Sequence, residues 1–143
     1  GRAKKKTGAA VAFKGAGTLM SPQRDPQAQM LFETERWVET LLPIGNATSH
    51  VYVASYHGVP RASSSAVEYK ENEMYLARLV ARIMQVGNAP YVVGMDANIS
   101  PEKSEVLKLA LDRGWLVDAA VAFKCLTPDG TAWPTYRSQG VYA

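Results

Sequence analysis

The chain has 143 residues, enough for one domain or part of one with a substantial buried core. Apolar residues make up 47% of it and charged residues 20%, which is ordinary for a globular protein and argues against a disordered chain. No apolar run is long enough for a transmembrane helix, and the net charge is only +3.

The positive charge is concentrated at the start of the chain. The first fifteen residues contain no acidic residue and several basic ones, namely Arg2, Lys4, Lys5, Lys6 and Lys14. Such a segment can contact nucleic-acid phosphates, which makes Lys4, Lys5 and Lys6 candidate nucleic-acid-binding residues. The alternative interpretation is an ordinary solvated terminus.

The cysteine content indicates the compartment. Cys125 is the only cysteine, so an intrachain disulfide is impossible and a reducing compartment is favoured. The first residues also lack the apolar core of a signal peptide. We therefore expect an intracellular protein, nuclear or cytoplasmic, with no membrane segment.

The first half of the chain contains several short apolar runs. Residues 11–13 and 18–20 are candidate strands, and residues 21–29 are predicted to form a loop because they are polar and contain two prolines. Residues 30–42 alternate imperfectly, so helix and strand both stay open, although the β-branched residues favour strand. Residues 51–56 form the clearest strand of this half.

The second half contains the helical patterns. Apolar residues recur at spacings of three and four over 68–86, which predicts an amphipathic helix ended by Gly87. A strand at 91–93, a helix at 102–112 and an extended segment at 115–118 are predicted next, followed by a turn at 128–130. We expect the first helix to bury four side chains on the sheet together with Val92: Leu76, Leu79, Val80 and Ile83. The alternation of strands and helices predicts an α/β fold.

Two polar side chains follow the strand at 91–93. Asp96 and Asn98 are two residues apart, so in an extended segment they project to the same side. A carboxylate suits a divalent cation or a proton, and an amide can orient a phosphoryl oxygen without ionising. The alternative is an Asx turn in which Asp96 bonds backbone amides.

His57 follows the strand at 51–56 in the same way. Because a helical crossover can set two strands side by side and parallel, the ends of both strands would meet at one edge of the sheet. A histidine at that edge, near a carboxylate and an amide, is a candidate for acid–base chemistry.

These motifs together resemble the endonuclease/exonuclease/phosphatase superfamily. The resemblance rests on residues 51–60, the 92–98 block with Asp96 and Asn98, residues 116–118 and the Pro-Thr-Tyr run at 134–136. Deoxyribonuclease I, the apurinic-site endonucleases and the endonuclease domains of LINE-type retrotransposons belong to this superfamily. The resemblance implies an α/β (α+β) fold of two packed β-sheets flanked by helices. It also implies a basic, loop-rich part at 1–29 and the central part of such a domain at 30–143.

The resemblance further implies a role for each site residue. Asp96 would position or deprotonate the attacking water beside a divalent cation, Mg²⁺ or Mn²⁺, and would be its ligand. Asn98 would hold the scissile phosphate, and His57 would hydrogen-bond or protonate the phosphate or the leaving group. The function implied is that of a metal-dependent phosphodiesterase, a nuclease with DNA favoured over RNA as its partner.

Departures from the superfamily pattern keep two alternatives open. One residue is inserted between Gly94 and Asp96, and the superfamily's metal-binding Glu and its later Asp-His pair have no counterpart in this sequence. We therefore expect a central fragment with an incomplete site. The first alternative is an inactive fragment or degenerate copy that folds or binds nucleic acid without hydrolysis. The second is a lipid or inositol phosphate phosphatase of the same superfamily.

Overall fold

A computed structural model describes residues 8–21, 24–45 and 48–122. Its elements in chain order are β1 (Thr18–Leu19), α1 (Pro26–Phe32), β2 (Trp37–Ile44), β3 (Ser49–His57), α2 (Ala66–Val86), β4 (Tyr91–Asp96), α3 (Glu105–Asp112) and α4 (Ala119–Ala122). The chain divides into two compact units, Gly1–Lys108 and Leu109–Ala143, and the four strands lie in the first. None of the helices in the described ranges has the length and apolar character needed to span a membrane.

Several predictions fall outside the described residues. These are the nucleic-acid-binding assignment of Lys4, Lys5 and Lys6, the turn at 128–130, the Pro-Thr-Tyr run at 134–136 and the environment of Cys125. The predicted domain boundary after residue 29 stays a prediction.

The strands form one mixed sheet in the order β1-β2-β3-β4. The β1–β2 and β2–β3 pairs are antiparallel, whereas β3 and β4 are parallel and are joined by the long helix α2. A parallel pair needs such a crossover because its second strand must start at the same end as its first. The mixed α/β fold class is confirmed, with one sheet formed by the described residues.

Helix α2 covers one face of this sheet with its apolar stripe. Leu76, Leu79 and Val80 are buried, as the helical periodicity predicts, and Ile83 is half-buried. The same stripe carries polar side chains that bond to the sheet, because Asn72 contacts Tyr56 of β3. Gly87 ends the helix with a positive φ of 76°, as the C-cap prediction requires.

The prediction that Val92 packs beneath α2 is wrong. Val92 is 58% exposed, because Tyr91 and Val93 point toward the helix and side chains alternate along a strand. The apolar run at 91–93 indicated a strand buried on both faces, but it is covered on one face among the described residues. Leu19 of β1 is likewise 71% exposed.

Two local predictions also differ from the structure. Residues 26–29, predicted as loop, begin helix α1, because Asp25 accepts a hydrogen bond from the Gln27 amide (2.9 Å) and Pro26 is preorganised for the first helical turn. The segment 30–42, for which helix and strand were both open, contains the end of α1 and most of β2. Residues 115–118 do not form a strand. Trp115 instead donates its amide to Ala110 (2.9 Å) beyond Gly114 at φ 69°, which closes the end of α3.

A buried carboxylate links α2 to two strands. Glu39 of β2 is 0% exposed, and Arg82 of α2 donates to both of its oxygens, from Nη2 at 2.7 Å and from Nε at 3.0 Å. The Tyr91 hydroxyl donates to Oε2 at 2.6 Å, and its ring stacks on Tyr52 with centroids 5.5 Å apart. Because a buried charge is tolerated only when it is paired and hydrogen-bonded, this network holds α2, β2 and β4 together.

Two hydrogen-bonded tyrosines, Tyr91 of this network and Tyr56 of β3, predict a loss of stability at alkaline pH. Burial, followed by the hydrogen bond to Glu39, raises the pKa of Tyr91, and burial also raises the pKa of Tyr56. Above the ordinary tyrosine value of about 10, the unfolded chain loses these protons while the folded chain keeps them, so the free energy of unfolding falls as pH rises. We expect urea midpoints to decline from about pH 10 upward, and to decline less steeply in Tyr91→Phe. If the urea midpoints of Tyr91→Phe and of the control Tyr69→Phe fell equally steeply with pH, the role given to Tyr91 in this pH dependence would be contradicted.

Candidate active site

The parallel pairing of β3 and β4 brings two predicted site residues together. His57 and Asp96 are register partners at the last position of each strand, so their side chains leave the same face at one edge of the sheet. This face is opposite to α2, because the preceding residues Tyr56 and Met95 point toward the helix side. His57 is half-buried and Asp96 is exposed, which leaves the carboxylate accessible to water.

Asn98 lies beside this pair in the loop after β4. Its φ of 52° is in the left-handed region, which asparagine tolerates better than most residues. The backbone amide of Asn98 donates to Asp96 Oδ1 at 3.2 Å, so the Asx turn considered from the sequence is present. One N–H of the side-chain amide donates to the Gly58 carbonyl at 3.0 Å. A second N–H remains on Nδ2 for a ligand, since a primary amide carries two donors.

The loops after β3 and β4 approach each other closely at Gly58. The Gly58 amide donates to the Asp96 carbonyl at 2.6 Å. A Cβ added at Gly58 would overlap the carbonyl group of Ala97, so no side chain fits there without moving the backbone. The requirement for glycine here comes from this approach of two backbones.

Two buried or half-buried side chains support these loops and were not predicted as part of the site. Arg36 donates from Nη1 to the carbonyls of Gly58 (2.9 Å) and His57 (3.3 Å), and its own carbonyl accepts from the His57 amide. Asn72 of α2 bonds to both loops, because its side chain accepts from the Val59 amide and donates to the Ala97 carbonyl. The sequence signal for Asn72 was its place on the apolar stripe of α2, where a polar residue needs buried partners.

A divalent cation at this edge would find few protein ligands among the described residues. Asp96 supplies one carboxylate, and its Oδ1 already accepts the Asn98 amide. No group of three or more His, Cys, Asp or Glu side chains in the described ranges could hold a metal ion. One carboxylate completed by water binds Mg²⁺ weakly, so these residues alone do not fit a complete metal site.

The sheet, its crossover helix and the polar edge belong to a mixed α/β fold of the deoxyribonuclease I type. The catalytic domain of human Nocturnin has a similar structure, with a TM-score of 0.50 and 17% sequence identity over 85% of this chain. The match covers 41% of that domain, so the chain spans about two fifths of its length. At this identity the similarity establishes the fold alone. No protein-family profile matches the sequence, and no curated protein matches it.

Proposed function

We propose that this chain is part of a metal-dependent phosphodiesterase, a nuclease that acts on nucleic acid, with DNA favoured over RNA. The observation that carries the proposal is the register pairing of His57 with Asp96 at one sheet edge, with Asn98 bonded beside them. Phosphodiester hydrolysis needs a positioned water and donors for the phosphoryl oxygens, and these three side chains have the required chemistry.

Each residue has a distinct role in this proposal. Asp96 orients the attacking water and accepts its proton through Oδ2, because Oδ1 already accepts a hydrogen bond from the backbone amide of Asn98. Asn98 donates its remaining N–H to a phosphoryl oxygen while Gly58 holds the other. His57 hydrogen-bonds the phosphate or donates a proton to the leaving oxygen. Mg²⁺ or Mn²⁺, when bound, would stabilise negative charge on the phosphoryl oxygens, with Asp96 as one of its ligands.

Two observations bear on the nature of the substrate. The basic residues Lys4, Lys5 and Lys6 favour a polyanion, and the human Nocturnin structure contains a bound sulfate, whose tetrahedral oxygens resemble those of phosphate. An endonuclease of a LINE-type retrotransposon, acting inside the cell in the nucleus or cytoplasm, is the specific form of the proposal that we favour. An inositol or lipid phosphate phosphatase is a competing form, because the three site residues suit any phosphate ester.

The proposal predicts a strong contrast between this chain and the full product of its parent reading frame. We expect the 143-residue chain to nick supercoiled plasmid weakly or not at all with Mg²⁺ or Mn²⁺, because its described residues supply only one carboxylate at the edge. The longer protein should nick plasmid, and Asp96→Ala should abolish the activity, since residues that act as a unit lose nearly all of it together.

The matched control is Glu71→Ala, which removes an exposed carboxylate from α2 and should leave nicking unchanged. Single-stranded RNA and inositol phosphates, assayed in parallel, identify the substrate class. A longer protein that hydrolyses none of these substrates would contradict the proposal and favour the inactive copy. Robust nicking by the 143-residue chain would show that its site is complete.

A further inference from the structure

Asn72 is the one polar side chain at the centre of the buried stripe of α2. It is 0% exposed and makes three hydrogen bonds. Its Oδ1 accepts from the Tyr56 hydroxyl at 2.8 Å and from the Val59 amide at 2.9 Å, and its Nδ2 donates to the Ala97 carbonyl at 3.1 Å. Burial raises the pKa of Tyr56, so that hydroxyl stays a donor even above the pH at which an ordinary tyrosine ionises.

The partners of Asn72 flank the candidate site on both sides. Tyr56 and Val59 enclose His57 and Gly58 in the chain, while Ala97 lies between Asp96 and Asn98. One buried amide therefore connects the loop that carries the histidine to the loop that carries the carboxylate. A primary amide accepts twice through its oxygen and donates from its nitrogen, so its two separate atoms can bond to both loops at once. An aspartate at this position would place a second oxygen against the Ala97 carbonyl.

We propose that Asn72 is a positioning residue for this site, which sets the separation of the His57 and Asp96–Asn98 loops without touching the substrate. Its importance for catalysis rests on the proposed function, but the connection itself is a property of the fold. Catalytic groups have to be held within about 0.5 Å of their productive arrangement, so a buried crosslink between two loops affects the chemistry directly. Asn72 itself is 0% exposed, and its hydrogen bonds to Tyr56 and Val59 are buried away from water, where a hydrogen bond is stronger than in solvent.

The test compares variants of this chain by amide hydrogen exchange measured with NMR. Asn72→Ser shortens the side chain and removes the bridge to Ala97. Tyr56→Phe removes one partner of Asn72 and leaves its bonds to Val59 and Ala97, so it is the matched control for a general loss of stability. We compare exchange at Gly58, whose amide bonds to Asp96, with exchange at Ala54 in the middle of β3.

We expect Asn72→Ser to raise the ratio of Gly58 to Ala54 exchange by about fivefold, the effect of one lost hydrogen bond of ordinary strength. In Tyr56→Phe the ratio should stay at its wild-type value, because both amides follow global stability. The same ratio in the two variants would overturn the positioning role and leave Asn72 as an ordinary structural residue.

A second variant keeps the test decisive if Asn72→Ser does not fold. In Asn72→Asp, burial disfavours the carboxylate, so the carboxyl is protonated at about pH 4, is isosteric with the amide and donates to Ala97, whereas the ionised carboxylate formed at about pH 8 cannot. The Gly58 to Ala54 ratio should match the wild type at the lower pH and rise at the higher one. A ratio unaffected by pH in this variant would also overturn the proposal.

Broadening of amide signals by Mn²⁺ tests the positioning role of Asn72 and the proposed function separately. In the wild type, Mn²⁺ near Asp96 should broaden the Asn98 and Gly58 amide signals together, and Asn72→Ser should weaken the broadening at Gly58 relative to Asn98. Equal broadening ratios in the two proteins would count against the positioning role. Absence of broadening in the wild type at an Mn²⁺ concentration high enough to populate a weak, one-carboxylate site would contradict the metal-binding part of the proposed function, while the exchange ratios, measured without metal, still decide the role of Asn72.

Discussion

Arg82→Leu should lower the free energy of unfolding by about 3–5 kcal/mol, the usual cost of removing one partner of a buried ion pair. Glu39 is completely buried, and Arg82 donates to both of its oxygens. Without the guanidinium, the carboxylate would keep the Tyr91 hydroxyl as its one partner among the described residues. Urea unfolding followed by circular dichroism gives the free energy directly.

The double variant Glu39→Leu/Arg82→Leu tests the reason for this loss. Replacing a whole buried pair with apolar residues is often close to neutral, so the double variant should be more stable than Arg82→Leu alone. Arg78→Leu is the control on the same helix, because Arg78 makes one exposed hydrogen bond to Gln27 and should cost less than about 1 kcal/mol. Equal losses for Arg78→Leu and Arg82→Leu would contradict the role given to the buried pair.

Gly58→Ala should destabilise the protein by about 3 kcal/mol, at the upper end of the range for overpacked sites. The added methyl group would overlap the Ala97 carbonyl, and a backbone group cannot rotate away as a flexible side chain can. The loop after β4 would have to move, and the bond from the Gly58 amide to Asp96 would lengthen or break. Nuclease activity of the longer protein should fall at least about a hundredfold, because displacements of about 1 Å are that costly in catalytic sites.

Gly94→Ala is the matched control for this substitution. Gly94 lies in β4 two residues before Asp96, and an added Cβ there would meet nothing within 4 Å. The stability of this variant should be unchanged or slightly higher, since alanine restricts the unfolded chain more than glycine does. If Gly58→Ala and Gly94→Ala behaved alike, the close approach of the two loops would not constrain the protein.

The long elements could be predicted from the sequence because their patterns are strong. The spacing of Leu76, Leu79 and Val80 defines α2, and the apolar run before His57 defines β3. The start of helix α1 at 26–29 was missed because Asp25-Pro26 is a signal both for a turn and for a helix start, and seven residues give too little periodicity to decide. The exposure of Val92 was missed because a three-residue apolar run does not show which of its faces is covered.

The candidate site was likewise predicted only in part. His57 and Asp96 were predicted to share one edge because strand ends joined by a crossover meet there, and the structure places them as register partners. Their catalytic roles stay predictions. The supports from Arg36 and Asn72 could not be predicted, because they depend on which backbone carbonyls come within reach once the chain is folded. The sequence shows a polar residue on an apolar stripe but does not identify its partners.

Asp96 also carries the only charge on strand β4, whose sequence is Tyr-Val-Val-Gly-Met-Asp. Among the described residues β4 is an edge strand, and unpaired edges are templates for intermolecular pairing that proteins commonly block with a charged side chain. Asp96→Ala therefore removes a charge that opposes self-association together with the proposed catalytic group. A loss of nicking in that variant reports chemistry only if light scattering shows that it is still monodisperse. Asp96→Glu keeps the negative charge on this edge strand and displaces the carboxylate by one methylene, so it distinguishes an effect of self-association from an effect on catalysis.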